Sequence, residues 1–358
     1  MRLRALRVQS FRNLYPTTFV PEARFSVFWG DNGHGKTNLL EAIYLVGTLR
    51  SFRTTQLGEL IAWGEEEATA EAAAVRDDLE RRHEVVLRPG RKQVRLDGKT
   101  PRTLSDYFGD FNVVLFAPED LRILRGGPGG RRRFLDRGVF NRHVTFLEDA
   151  QRYGHVLKQR NSVLKKGGGE DLLDVYDEQL AAYGERIDGA RRRYLAELSP
   201  RFEAAFEAIS QSGVRAELRY EAPERPAGAL VAELRAGRAR DQHRRHTGAG
   251  PHTDDLAFLL SDKDARAFAS QGQLRALVLA WKAAEMTLLV DTRGDAPLLL
   301  LDDVSSELDP LRNQYLFELL LRIDCQCFVT TTHPGHVLIS ENRQDYQIVN
   351  GQIRPFTK

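Results

Sequence analysis

The apolar positions change period several times along the chain, and each change predicts an element. Residues 1 to 30 carry alternating and then continuous apolar runs that end in Phe25-Ser26-Val27-Phe28-Trp29, a buried-strand pattern. Leu39, Leu40, Ile43 and Val46 then fall on one face of a helix predicted over 38–49. Between 68 and 99 the chain reads as short alternating strands broken at Asp77-Asp78, Pro89-Gly90 and Asp97-Gly98. Those pairs accept the positive φ of tight hairpin turns. Past Gly126-Gly127-Pro128-Gly129-Gly130 the period becomes helical. Leu173, Tyr176, Leu180, Tyr183, Ile187, Ala190, Tyr194, Leu198 and Phe202 recur at three- and four-residue steps. Such a seam predicts a long helix packed on the helix before it, over 134–164, with Gly167-Gly168-Gly169 reversing the chain between them. The seam lasts only about four heptads, so it forms a short antiparallel arm rather than a long coiled coil. The stretch from Arg240 to Thr253 is polar and reads as a loop, and α/β patterning resumes at Leu256. The fold class that results is α/β: a sheet-and-helix unit over 1–120 and 256–358, with a strand-rich antiparallel subdomain, interrupted by a mostly helical insert over 121–255.

Composition changes this picture little. A chain of 358 residues suits about two domains, and 52 basic against 50 acidic residues leave a net charge of only +2. Bulk charge therefore does not mark a nucleic-acid binder. Basic residues cluster at Arg131-Arg132-Arg133, at Arg191-Arg192-Arg193 and from Arg235 to Arg245, where a phosphate contact and a solvated face both remain open. Cys325 and Cys327, one residue apart, suit neither a disulfide framework nor a zinc knuckle, so a reducing cytoplasm is expected. No apolar run reaches the roughly 18 residues of a membrane span. The start, Met1 to Arg7, is punctuated by arginines and too interrupted for the apolar stretch of a secretory leader, so none is expected there.

The chemistry is concentrated in three stretches. Gly30-Asp31-Asn32-Gly33-His34-Gly35-Lys36-Thr37 fits G-x-x-x-x-G-K-[ST], with an apolar strand before it and a helix after it. Its glycines let successive N–H groups turn toward phosphate oxygens, and the helix adds the positive end of its dipole. Lys36 is then placed for the β- and γ-phosphates of ATP and the Thr37 hydroxyl for Mg²⁺. Leu298-Leu299-Leu300-Leu301-Asp302-Asp303 reads as a strand covered on both faces and ending in two carboxylates. Asp302 is placed to hold Mg²⁺ and Asp303 to orient or deprotonate the attacking water. Many ATPases of this kind carry the longer Glu at the second position, so slow hydrolysis is expected. Third, Ser270-Gln271-Gly272-Gln273 opens a helix, and Ser305-Ser306-Glu307-Leu308-Asp309-Pro310 follows the acidic strand. One phosphate site is already complete within the chain. A second anion site at a helix start therefore suggests a γ-phosphate bound in trans, two protomers sandwiching two ATPs with twofold symmetry. That order of motifs is the order of ABC-type heads. His333, in the Thr330-Thr331-Thr332-His333 stretch that follows the apolar strand Cys327-Phe328-Val329, is placed either to sense the γ-phosphate or to cap a turn.

On these residues the chain resembles the RecF family of bacterial recombination mediators, relatives of the SMC heads. The likeness runs end to end. Phe11-Arg12-Asn13 looks like the family's entry to the nucleotide pocket, and Lys36-Thr37-Asn38-Leu39-Leu40-Glu41 like its phosphate-loop helix. More specific are Pro118-Glu119-Asp120-Leu121, Gly127-Pro128, Arg131-Arg132-Arg133-Phe134-Leu135-Asp136 and Gly250-Pro251-His252-Thr253-Asp254-Asp255-Leu256. Thr253 departs from the pattern, which has a basic residue there. The resemblance implies a cytoplasmic ATPase with weak, DNA-stimulated hydrolysis that forms an ATP-dependent homodimer. It implies partners in duplex DNA and duplex–single-strand junctions, in RecR and RecO, and in RecA, which the protein helps to load in gap repair. Arg50, Arg53 and the Arg131 to Arg133 cluster are the candidate DNA contacts, on charge and position alone. Two other classes give different expectations. A transporter energy subunit would copurify with membranes and carry a signature closer to Leu-Ser-Gly-Gly-Gln, and a non-hydrolysing module would release phosphate no faster than its Asp303→Asn variant.

Overall fold

The computed structural model describes residues 1–108, 111–167, 169–294, 296–304 and 308–356. The chain divides into two compact units, one comprising 1–122, 204–213 and 271–358, the other 123–203 and 214–270.

The first unit holds two sheets. Strands β1 (Arg2–Gln9), β2 (Thr17–Phe19), β4 (Ala68–Arg76), β5 (Leu79–Arg88) and β6 (Arg91–Leu96) form an antiparallel sheet in the order β2-β1-β4-β5-β6. Along β4, Ala68, Ala70, Ala72 and Ala74 are buried in strict alternation, which fixes the face the sheet turns inward. The second sheet contains β3 (Phe25–Trp29), β7 (Val113–Phe116), β11 (Leu298–Asp302), β12 (Cys327–Thr331), β13 (Arg343–Val349) and β14 (Gln352–Phe356). Its order is β14-β13-β3-β12-β11-β7, parallel throughout except for the β13–β14 hairpin. The runs Phe25–Phe28 and Leu298–Leu301 are fully buried, as expected of parallel strands covered on both faces.

Helix α1 (Lys36–Thr48) packs against strands of both sheets. Its apolar face is wider than the one-sided stripe read from Leu39, Leu40, Ile43 and Val46, because Ala42, Tyr44, Leu45 and Gly47 are buried as well. A helix enclosed between two sheets needs apolar residues nearly all round.

The second unit is mostly helical. Helical residues run from α4 (Pro128–Arg142) through α5 (Phe146–Lys166) into α6 (Glu170–Ser210), whose last turns fall in the first unit. One predicted helix over 134–164 is thus two, broken at His143–Thr145. Contacts between α5 and α6 run in opposite order along the two helices. Arg186 meets Asp149, Tyr153 lies beside Gly184, Arg160 bonds Asp177, and Val163 and Leu164 pack on Leu173. That order is the antiparallel arm the seam predicts. Strands β8 (Ala216–Glu221), β9 (Asp255–Leu260) and β10 (Lys263–Asp264) form a small antiparallel sheet in the same unit. The pairing of β9 with β8 carries the unit to residue 270, so the chain returns to the first unit at 271 instead of the expected 256. Part of the stretch read as a loop after Arg240 is also ordered, as the helix Arg238–Arg244. Among the described residues no helix is long and apolar enough to cross a membrane.

Candidate nucleotide site

The loop from Gly30 to Gly35 leaves the end of β3 and enters α1 with Gly30, Gly33 and Gly35 all at positive φ. Two close approaches explain why glycine is required around it. A Cβ on Gly30 would stand 2.4 Å from the carbonyl oxygen of Ile348, and one on Gly351 would stand 2.0 Å from that of Asn13. The β13–β14 turn is therefore a wall of the loop, pinned by the Gly351 N–H donating to the His34 carbonyl at 2.9 Å. Asp31, Asn32 and Gly33 are exposed, His34 is half-buried, and Lys36 is buried. The Lys36 ammonium donates to the carbonyls of Gly30 at 2.6 Å and Asp31 at 2.9 Å. Burial pushes its pKa below the ordinary lysine value, against the opposing pull of Asp303, Asp302 and Asp31.

Thr37 Oγ1 donates to Asp302 Oδ1 at 2.8 Å, joining residues 265 positions apart. Asp302 is buried at the end of β11, and Asp303 follows at φ 50°. The strand order places β12 between β3 and β11, and from it Thr330 Oγ1 also donates to Asp302 Oδ1, at 2.7 Å. Sequence reasoning gave Thr330 no role. A hydroxyl in a buried apolar strand, level with the acid strand's end, is the signal that could have found it. Oxygen donors alone are gathered here, which suits a hard cation such as Mg²⁺. Among the described residues no cluster of three or more His, Cys, Asp or Glu could hold a metal ion unaided.

The Phe-Arg-Asn stretch lies against the loop. Asn13 Nδ2 donates to the Gly33 carbonyl at 2.8 Å, and Asn38 Nδ2 to Asn13 Oδ1 at 2.6 Å. Arg12 grips the fully buried Glu41 carboxylate with two bonds, at 2.9 and 3.1 Å. Arg53 donates to Asn38 at 2.7 Å and to Glu41 at 3.4 Å, while Ser51 also bonds Glu41. Glu41 is a hub that sequence reasoning missed: it looked like one more helical residue until tertiary contacts brought two arginines to it. Of the candidate DNA contacts, Arg53 is thus tied into this network, and Arg50 is exposed.

At the other motifs, Ser270 and Gln271 are exposed at the start of α10 (Gln271–Arg293), with Gly272 and Gln273 half-buried. The Arg312 guanidinium lies over Gly272, held by an ion pair with Asp309. Asp309 also caps the helix Pro310–Arg322, while Ser305, Ser306 and Glu307 lie outside the described residues. His333 is exposed and caps a short turn, its Nδ1 accepting the Gly335 N–H at 3.1 Å.

The remaining family stretches act within the insert or behind α10. Arg131 is only 1% exposed and forms a two-bond pair with Asp255, so the DNA contact expected there is corrected: the guanidinium is consumed inside the fold. Arg132 donates to the Asp254 carbonyl at 2.6 Å, and Arg133 is exposed. Arg191 bonds both Asp136 and the Pro251 carbonyl. The stretches 131–136 and 250–256 are therefore two sides of one lock. Thr253 closes a turn onto the Gly250 carbonyl, its main-chain N–H donating at 2.9 Å and its hydroxyl at 2.7 Å. In the first unit, Asp120 faces the buried ammonium of Lys282 in α10 at 3.6 Å.

A glycine-rich loop of the phosphate-binding pattern, an acid-tipped strand two places away in the same sheet and a helix that opens with Ser270-Gln271-Gly272-Gln273, on a mixed sheet with an antiparallel subdomain and a helical insert, define an ABC-ATPase-like head. The RecF/RecN/SMC N-terminal domain model matches residues 2–352. The DNA replication and repair protein RecF of Myxococcus xanthus is 45% identical over 345 residues, covering 93% of this chain and 91% of that protein. RecF of Citrifermentans bemidjiense is 39% identical over 363 residues, covering 99% and 100%. Among solved structures, the recombination mediator protein RecF with ATP, of the RecFOR pathway, superposes with a TM-score of 0.91 at 31% identity, covering 99% and 97%. An SMC head bound to the C-terminal winged-helix domain of ScpA shares the fold, with a TM-score of 0.59 at 16% identity. The chain belongs to the RecF family.

Proposed function

We propose that the protein is an ATP-switched DNA-binding recombination mediator. Two copies close on two ATP molecules, hydrolyse them slowly in a DNA-stimulated reaction, and act with RecR and RecO in the cytoplasm to help load RecA at duplex–single-strand junctions during gap repair. The observation that carries this reading is the convergence of Lys36, Thr37, Asp302 and Asp303 at the mouth of one glycine loop. The relatives' common name and the ATP-bound RecF of similar fold support it.

In this reading Lys36 exchanges its two carbonyl partners for phosphate oxygens, a trade that returns a buried ammonium to anionic company. Asn13, Asn38 and Arg12 set the loop's outer edge against the nucleotide. Thr37 and Asp302 would hold Mg²⁺, which when bound would supply positive charge against the transferring phosphoryl group. Asp303 orients the attacking water. Ser270, Gln271, Gly272 and Gln273 present a helix N-terminus to the partner protomer's γ-phosphate, so nucleotide biases an open–closed equilibrium. His333, whose Nδ1 caps its turn, reads the γ-phosphate through Nε2. Arg50, Arg132 and Arg133 remain candidate phosphate contacts on the DNA side.

The test is fluorescence anisotropy of a labelled gapped duplex titrated with ATP, with ADP and without nucleotide. Tight binding is expected only with ATP, and Lys36→Ala abolishes it. Binding indifferent to nucleotide would disconnect the ATP site from DNA and overturn the reading.

A further inference from the structure

The two acidic residues at the end of β11 are joined through one side chain of the neighbouring strand. Thr330 is fully buried in β12. Its hydroxyl donates to Asp302 Oδ1 at 2.7 Å and accepts the main-chain N–H of Asp303 at 3.0 Å. A hydroxyl has one proton to give, and the Leu301 carbonyl competes for it at 3.4 Å. The carboxylate wins, because charge-assisted hydrogen bonds are shorter and stronger. Asp302 Oδ1 thus receives two hydroxyls, from Thr37 and Thr330, which fix its second oxygen in one direction. Asp303 sits at φ 50°, a left-handed backbone that side-chain-bearing residues adopt at a cost. Its N–H is shared between the Thr330 carbonyl at 3.2 Å and the Thr330 hydroxyl at 3.0 Å. One residue therefore sets the carboxylate of the first acid and the backbone of the second.

We propose that Thr330 is a positioning residue that couples the metal-facing carboxylate of Asp302 to the water-facing Asp303, so that Mg²⁺ affinity and hydrolysis depend on a single hydroxyl. The proposal rests on the reading of the site given above. It follows from topology as well as distance: β12 is hydrogen-bonded to β3 on one side and β11 on the other, with Thr330 in register with Asp302.

Thr330→Val removes the hydroxyl and keeps the β-branched shape, and the Asp303 N–H retains the carbonyl of residue 330, so the sheet should survive. Thr330→Ala is a second hydroxyl-free variant that cannot overpack, and Thr330→Ser restores the hydroxyl alone. The readout is the Mg²⁺ concentration for half-maximal binding of a fluorescent, non-hydrolysable ATP analogue to the full chain, with phosphate release measured alongside. Losing a hydrogen bond to a charged group should raise the Mg²⁺ midpoint about tenfold in Val and Ala. Phosphate release at saturating Mg²⁺ should fall by a similar factor, and Ser should recover both to within about threefold. A valine or alanine variant with the wild-type Mg²⁺ midpoint, or a serine variant as impaired as valine, would overturn the coupling. Wild-type protein that binds the analogue without regard to Mg²⁺ would sink the reading of the site itself, a failure distinguishable from the first because it needs no variant.

Discussion

The insert and the nucleotide loop both bury cationic side chains, but they hold them in opposite ways. In the insert, Arg160 is wholly enclosed and its guanidinium is met by the carboxylates of Asp177 and Asp241 at 2.6 Å each and by the Thr247 hydroxyl at 2.9 Å. Arg131 and Arg191 are closed by Asp255 and Asp136 in the same manner. At the nucleotide loop, the buried Lys36 reaches two main-chain carbonyls, and the carboxylates near it act at a distance. Carbonyls are neutral acceptors that a phosphate can displace, whereas a two-bond carboxylate partner is expensive to remove. Charge closed by carboxylates specifies the fold of the insert; charge resting on carbonyls stays exchangeable. Among the family-specific stretches outside the phosphate loop, Arg131, Asp136 and Asp255 belong to the first kind.

The sharpest way to break this contrast is to delete one cation from each side. Arg160→Ala leaves two buried carboxylates without their partner and should cost about 3–5 kcal/mol in thermal or denaturant unfolding. Lys36→Ala should change stability by less than about 1 kcal/mol while abolishing nucleotide binding. Comparable destabilisation by both variants would mean the lysine is structural too.

Within the arginine triplet the same distinction should separate neighbours. Arg131→Ala strands Asp255 and should cost about 3 kcal/mol, whereas the exposed Arg133→Ala should stay within about 0.5 kcal/mol and express itself, if anywhere, in DNA affinity and its salt dependence. Equal losses of stability at the two positions would remove the assignment of Arg131 to the fold.

A smaller effect should appear with pH. Burial holds His252 below the ordinary histidine value, with the Thr247 carbonyl opposing and Arg132 adding to the depression. Its Nε2 lies 3.0 Å from the Thr247 carbonyl and its Nδ1 2.6 Å from the Tyr153 hydroxyl, which suits a neutral ring with the proton on Nε2. Because the folded pKa is depressed, the unfolded chain takes up the proton first. The contribution of this group is therefore intact above about pH 6.5 and is lost as pH falls below it. The melting temperature should decline from about pH 7.5 to about pH 5.5, and less steeply in His252→Gln. An unchanged slope in the variant would place the acid sensitivity elsewhere.

The phosphate loop was legible because its chemistry lies in eight consecutive residues, and the acid strand because four leucines and two aspartates declare burial and its end together. The arm was legible in its seam but not in its break at His143–Thr145, since helical period continues across a short interruption. Glu41 was unreadable as a hub: its partners Arg12 and Arg53 lie 29 and 12 positions away, on a turn and a loop that no local period relates to the helix. The return of the chain to the first unit was misplaced for a similar reason. Leu256 to Leu260 reads as a strand in any sheet, and only its pairing with Ala216–Glu221 assigns it to the insert.

By itself, then, the sequence determined what acts through neighbouring residues: the loop, the paired acids, the helix starts and the arm, because backbone propensity and side-chain period are local. Tertiary structure decided which strands stand side by side. Inserting β12 between β3 and β11 is what brings Thr330 to both aspartates, and closing the β13–β14 turn on Asn13 and Gly35 is what walls the loop. Strand order is set by packing sheets and helix α1 into one core, a sum over contacts between distant segments that no window of the chain contains.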